Sequence, residues 1–216
     1  MQISWKSQQG VSRSDNNDYV AISASDGRFI AVIVDALDKG RAPRRLAEYW
    51  AKALSRQYTK HKHASVVSLL KEIHRTLIPD YLTESASYTL IDLDIEGRSG
   101  KVIYVGDCRL GISNNGKTNW VNEPHIMVNT FPGLGDGYAN ILTRVLKARR
   151  FTLPDQISFE WRDGEMLLLC TDGYWRSESD NQEFAHDDTS VLIVRPENSD
   201  LTITIDSDCD NFSVID

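Results

Sequence analysis

FIAVIV, residues 29–34, is an uninterrupted apolar run rich in β-branched residues, and it stops abruptly on Asp35. A run of this length and composition reads as a strand covered on both faces, because a half-solvated strand would alternate apolar with polar. Downstream, residues 42–58 open with Pro43 and space Leu46, Trp50, Ala53 and Leu54 three and four apart. That spacing predicts an amphipathic helix with proline in its first turn. Val66, Val67, Leu70, Ile73 and Leu77 predict a second helix over 66–77, stopped by Pro79.

From Tyr88 the period changes to two. Residues 88–94, 101–105 and 110–113 read as short strands, and Asn115-Gly116 as a hairpin turn into 117–121. A third helix is expected over 138–147, then strands at 158–161, 166–171 and 190–195. In the tail, LTITI from residue 201 reads as a strand and FSVI as its return, joined by DSDCDN into an acidic hairpin. Asp206, Asp208 and Asp210 have the opening spacing of a calcium loop, but Asn211 stands where glycine is needed. His61 and His63 alternate with lysines and read as a solvated face. The sum is an α+β chain with mostly antiparallel sheet, expected as a single domain over 1–216.

Composition narrows the function classes. The 216 residues are 41% hydrophobic and 25% charged, which is ordinary globular usage. With 24 Lys and Arg against 31 Asp and Glu, the net charge is −7, so a polyphosphate backbone would be repelled and nucleic acid is excluded as a partner. Cys108, Cys170 and Cys209 are scattered, without metal-ligand pairing. No apolar run approaches the roughly 20 residues of a membrane span, and residues 1–10 lack the apolar core of a signal peptide. These features predict a cytoplasmic protein without a membrane partner.

The chemistry sits at strand ends. Asp35 closes FIAVIVD, Asp172 closes MLLLCTD, Asp107 follows KVIYVG, and Asp187 and Asp188 precede SVLIV. Any one of these could be an ordinary turn aspartate. Together they are a surplus of carboxylates beside buried strands, with only Arg13 or Arg109 nearby in sequence as a cationic partner, and that surplus suits divalent cations. Ligation by oxygen alone points to Mg²⁺ or Mn²⁺ rather than zinc.

Several segments, in order, resemble the protein phosphatase 2C (PPM) family: RSDNNDYV at 13–20, VIVDALDKG at 32–40, VGDCRLGI at 105–112, LTRVL at 142–146, LLLCTDGYW at 167–175 and DDTSVLIV at 187–194. The resemblance covers about residues 10–194. It implies a four-layer α-β-β-α sandwich, two antiparallel sheets flanked by helices, with a metal cleft at one edge. It implies a serine/threonine phosphatase holding two Mn²⁺ or Mg²⁺ ions. Asp35 would bridge both ions, the Ala36 carbonyl would complete the first site, and Asp172 and Asp187 would ligate the second. A water between the ions would attack phosphorus, and Arg13 would grip the phosphate. Asp18 would act through metal-bound water. The implied partner is a phosphorylated protein, opposed by a serine/threonine kinase.

The chain also departs from that pattern. Asn17 replaces a glutamate, Ala36 a glycine, and Leu37 stands where some members carry a histidine proposed as general acid; His186 is an alternative donor. Arg176 stands where the family commonly has an aspartate that, with the Asp107 equivalent, helps hold a third metal. Arg176 is therefore expected to pair with Asp107 as a fixed charge. The glycine-rich PGLGDG, 132–137, lacks the G-K-[ST] of a P-loop and is expected to line the cleft. The competing readings are a catalytically weakened phosphatase-like domain that binds a phosphoprotein or regulatory partner, and a phosphatase of small phosphorylated molecules.

Overall fold

The computed structural model describes residues 1–25, 27–60, 65–78, 80–180, 186–196 and 200–215. Pro79, His61 and His63 lie outside the described residues. Two sheets carry the fold. The first has the order β12 (Thr202–Ser207), β1 (Gln2–Gln8), β11 (Thr189–Arg195), β10 (Met166–Cys170), β6 (Arg109–Asn114), β7 (Lys117–Trp120). The second has the order β13 (Phe212–Val214), β2 (Asp18–Ser25), β3 (Arg28–Ala36), β4 (Ser85–Asp94), β5 (Ser99–Val105), β9 (Asp155–Glu160), with the short β8 (Leu146–Lys147) on β4.

The run at 29–34 is the middle of β3, and its two faces enter two cores. Phe29, Ala31 and Ile33 pack between the sheets with Trp5, Ile22, Leu110, Leu167 and Leu192. Ile30, Val32 and Val34 turn outward onto α1 (Pro43–Lys60) and α2 (Val66–Arg75), meeting Leu46, Trp50, Leu54, Leu70 and Ile73. Both faces are covered, which is why no polar alternation appears. Each fully buried Leu or Ile here contributes roughly 1.5–3 kcal/mol. On the far side, α4 (Asp172–Asp180) lies over the first sheet, with Tyr174 and Trp175 against Leu168, Cys170 and Val191. The layers are thus helix, sheet, sheet, helix.

The hairpin at Asn115-Gly116 forms as expected between β6 and β7. Both residues have positive φ, 50° and 77°, as a type I′ turn requires. The helix α1 begins at Pro43. Glu84, 3% exposed, accepts the Arg41 and Ala42 N–H groups at 2.8 and 3.3 Å on one oxygen, fixing the segment that leads from Asp35 into the helix.

Two expectations fail. No helix occupies 138–147: a 3-10 turn at Asp136–Tyr138 is followed by a bridge between Ile126 and Leu142 and then by β8. The apolar positions fit a helical spacing, but the backbone groups are used elsewhere. Met127 donates to Ile141 O at 2.8 Å, Thr143 donates to His125 O at 2.8 Å, and Leu146 is buried beside β4. A short helix with β-branched Thr143 and Val145 cannot outweigh these bonds. A short α3 (Met127–Thr130) stands earlier in the same stretch.

The tail is not a hairpin. β12 lies parallel to β1 in one sheet and β13 parallel to β2 in the other, so the sheets are mixed rather than purely antiparallel. The crossing turn is held by buried Asn211, which accepts from Trp5 Nε1 at 2.9 Å and donates to Ser7 Oγ at 2.7 Å and to the Asp18 carbonyl at 3.2 Å. A hairpin would leave those polar groups without these bonds.

Candidate active site

One end of the sandwich gathers the carboxylates. Asp18 opens β2 and stands directly opposite Asp35 on β3, and Asp35 is opposite Ser87 on β4. Ser87 Oγ donates to Asp107 Oδ1 at 2.7 Å in the turn after β5. The other sheet contributes Asp172, after β10, and Asp187 with Asp188, before β11. A cleft of about 830 Å³ opens there, lined by Arg13, Asp35, Ala36, Asp107, Asp172, Arg176, Asp187 and Asp188 among others. The structure therefore brings Arg13, Asp35, Ala36, Asp107, Asp172, Arg176, His186 and Asp187 to one cleft, while Asp18 lies beneath its surface at 0% exposure.

Burial and crowding raise these acids. Burial foremost, then the charges of Asp18, Asp172, Asp107 and Asp187, holds the Asp35 carboxyl well above the usual carboxylate range. Asp18 is raised likewise by burial and then by Asp188, against a 3.0 Å bond from Thr171 Oγ1. Asp172 is pushed up to about 7, by burial and by Asp107 and Asp187, with Arg176 opposing. Asp107 is raised by burial, which the Ser87 bond and Arg176 partly offset.

Arg13 and Arg176 are the guanidinium groups of this cleft. Arg13 donates Nε to Asp187 Oδ1 at 2.7 Å, with its NH2 group 2.6 Å from the same oxygen and NH1 3.7 Å from Asp38. Arg176 has its NH2 group 3.8 Å from Asp107 Oδ2 and Nε 3.2 Å from Asp172 Oδ2, so it spans two acids rather than the one expected. Its guanidinium also donates to Asn140 Oδ1 and, at 3.1 Å, to Ala139 O. Those loop residues, with Ile126 and Leu142, make the cleft wall; Pro132, Gly133, Leu134, Gly135 and Gly137 do not line it. Among the described residues Arg109 pairs with no acid: its Nε donates to Asn122 O at 3.2 Å, and it stacks between Trp120 and Trp175, 4.4 and 5.1 Å from their centroids. His186 lines the cleft, and its carbonyl accepts from Ser12 Oγ.

Sequence reading missed two supports. Asp188, 4% exposed, accepts Gly10 N–H at 3.0 Å and Asn17 N–H at 2.8 Å, closing the loop that carries Arg13. Gly10 and Gly173 have no room for a Cβ, which would lie 2.4 Å from the Asp187 carbonyl carbon and 2.1 Å from the Asp188 carbonyl oxygen. Adjacent aspartates before a strand gave no hint that both reach the cleft while Asp188 also holds the Gly10 and Asn17 N–H groups.

The residues fit divalent cations by charge and donor type. Asp18, Asp35, Asp107, Asp172, Asp187 and Asp188 outnumber the two arginines, all potential donors are oxygen, and buried Asn17 Oδ1 and Asp18 Oδ1 have no hydrogen-bond partner among the described residues. As they stand, no three acidic, histidine or cysteine side chains among the described residues converge closely enough to hold an ion. Asp187 is engaged by Arg13 and Asp172 by Arg176.

No family model matches the sequence, and no curated protein matches it. Solved structures do match. The S. agalactiae serine/threonine phosphatase superposes with a TM-score of 0.74 at 17% identity, covering 88% of this chain and 97% of that one. Serine/threonine phosphatase Stp1 from Staphylococcus aureus also gives 0.74, at 15% identity and 91% and 95% coverage. The PPM Ser-Thr phosphatase MsPP from Mycobacterium smegmatis, in complex with cacodylate, gives 0.70 at 17% identity, with 88% and 96% coverage. The chain has the PPM serine/threonine phosphatase fold. Within the PPM fold, its carboxylates stand where β-strands of both sheets end. No described helix is long and apolar enough to cross a membrane.

Proposed function

We propose that this chain is a metal-dependent phosphatase of phosphoserine and phosphothreonine in proteins. The observation that carries the reading is the convergence of Asp35, Asp107, Asp172 and Asp187 with Arg13 on one open cleft in a PPM fold. Asp35 and the Ala36 carbonyl at the end of β3, with Asp172 and Asp187 across the cleft, would hold two ions of Mn²⁺ or Mg²⁺. When bound, such ions supply Lewis acidity that polarises a phosphoryl oxygen and makes a water nucleophilic at neutral pH.

The chain's own residues do the rest. Arg13 is planar and permanently charged, so it can hold two phosphate oxygens at once and offset charge that develops during transfer. Asp188 keeps the Arg13 loop in place through its two backbone bonds. Asp18 lies behind Asp35 and Asp107 beside it, and both draw the cleft toward cations. The partner implied is a phosphorylated protein, in keeping with the serine/threonine phosphatases whose fold this chain shares.

A second reading, a weakened phosphatase-like domain that binds a phosphoprotein, is favoured by Arg176, which already engages Asp107 and Asp172. Release of inorganic phosphate from phosphoserine and phosphothreonine peptides, measured beside a small aryl phosphate in Mn²⁺, tests the proposal. Turnover of the peptides is expected. Aryl phosphate turnover without peptide turnover would point to small phosphorylated molecules, and binding of the peptides without release would favour the second reading.

A further inference from the structure

Three parts of the fold meet at His125, just outside the cleft. Its ring stacks on Tyr104 of β5, centroids 4.8 Å apart and planes at 9°. Nδ1 accepts the Gly106 N–H at 3.0 Å, and the His125 N–H returns a bond to Gly106 O at 2.9 Å. Nε2 lies 3.0 Å from Asp155 Oδ2 on β9 and 2.9 Å from Arg144 NH1, and that NH1 is 2.8 Å from Asp155 Oδ1. The His125 carbonyl accepts from Thr143, one residue beyond the Ile126–Leu142 bridge that closes the cleft-wall loop.

The tautomer follows from the donors. A backbone N–H can only donate, so Nδ1 must be the acceptor, and a neutral ring then carries its proton on Nε2. That proton goes to Asp155 Oδ2; Arg144 NH1, 2.9 Å from Nε2, can also only donate and so competes for this nitrogen, and the Nε2-protonated ring requires its proton to turn to Asp155 Oδ1, 2.8 Å away. Burial, aided by the charge of Arg144 and opposed by Asp155, lowers the imidazole pKa, in keeping with a neutral ring. On its other side Gly106, at φ +99°, is pressed against Ser87: a Cβ there would lie 2.1 Å from Ser87 Oγ, the hydroxyl that donates to Asp107. The Gly106-Asp107 turn is thus held between Ser87 and His125.

We propose that His125 is a positioning residue for the cleft, a neutral Nε2-protonated imidazole oriented by Asp155 that fixes the Gly106-Asp107 turn and, through its backbone, the base of the 126–142 wall. Its catalytic consequence rests on the phosphatase reading; its tautomer and its grip on Gly106 do not. The test has two arms. Imidazole ¹⁵N shifts of the full chain at neutral pH in Mg²⁺ are expected to show His125 protonated on Nε2 and bare on Nδ1; the opposite tautomer or a doubly protonated ring would overturn the proposal. His125→Asn presents Oδ1 where Nδ1 stands and can still accept from Gly106, whereas His125→Ala cannot. Both variants lose the Asp155 link, so their melting temperatures should fall alike. His125→Ala should lower kcat/KM for a phosphopeptide by on the order of tenfold and speed exchange of the Gly106 amide, and His125→Asn should restore most of both. Equal kcat/KM and equal Gly106 amide exchange in the two variants would overturn the proposal. If the unmodified protein released no phosphate, the function reading would fail, and amide exchange at Gly106 would still decide the role of His125.

Discussion

Asp18 and Asp35 are direct cross-strand partners at the cleft end of β2 and β3. Like charges in this relation repel: two full charges ~5 Å apart at an effective dielectric of ~20 would cost ~3 kcal/mol. Burial is the larger effect on both; the next is Asp18 for Asp35 and Asp188 for Asp18, and these hold both carboxyls well above the usual range. The fold tolerates the pair in one of two ways, by keeping protons or by accepting cations.

That choice gives a pH dependence with a definite sign. An unfolded-chain aspartate ionises near pH ~3.9, while folded Asp172 does so at about 7 and Asp18 and Asp35 are raised as well. Between the two values the unfolded chain has lost protons that the folded chain keeps, so stability is greatest below the unfolded value and falls as pH rises toward the folded ones. In chelator, the melting temperature should drop between about pH 5 and pH 8, and saturating Mg²⁺ should reverse the drop at the upper end. A melting temperature that rose over this range in chelator would contradict the raised carboxyls.

Arg13 and Asp35 should separate by role. Arg13 engages Asp187 at 2.6 Å, so Arg13→Ala should leave Mn²⁺ affinity unchanged or tighter while lowering kcat/KM by on the order of a hundredfold. Asp35→Asn should weaken Mn²⁺ binding and abolish turnover. Titration calorimetry of both variants checks the assignment, and loss of ions in Arg13→Ala with retention in Asp35→Asn would reverse it.

Arg176 sets the ion count. Its guanidinium lies within 3.8 Å of Asp107 and 3.2 Å of Asp172, and a permanent charge there repels a cation placed beside it. Anomalous scattering from a crystal soaked in Mn²⁺ should show two ions near Asp35 and none between Asp107 and residue 176. Arg176→Asp should add a third ion and, by releasing Asn140 and Ala139, loosen the cleft wall. A well-occupied ion on Asp107 in the unmodified protein would refute the count.

Gly40 is a steric prediction. A Cβ there would lie 1.2 Å from Glu84 Oε2, so Gly40→Ala must displace the side chain that accepts from Arg41 and Ala42. Calorimetric unfolding should show a loss of about 1–3 kcal/mol. An unchanged melting temperature would mean that the segment between Asp35 and α1 is looser than these contacts indicate.

The sequence was legible where local pattern and burial agree. FIAVIV revealed a doubly covered strand, Pro43 a helix start and Asn115-Gly116 a hairpin, because each signal is carried by a few neighbouring residues. The segment 138–147 misled because its apolar spacing fits a helix, while its hydrogen bonds are made with His125 and Met127, far from it in the chain's local window. The tail misled because parallel pairing with β1 and β2 leaves no local mark. In the cleft, the aspartates at strand ends were visible. The acceptor role of Asp188 and the double grip of Arg176 depend on which residues the two sheets bring face to face.

On the proposed function, this cleft hydrolyses phosphate esters only with divalent cations held by its aspartates. The direct measurement is phosphate release from an aryl phosphate by the unmodified protein and by Asp35→Asn, in Mn²⁺, in Mg²⁺ and in chelator. The account predicts release by the unmodified protein with Mn²⁺ or Mg²⁺, none in chelator, and none from Asp35→Asn under any condition. Release that persisted in excess chelator, or that survived in Asp35→Asn, would contradict it.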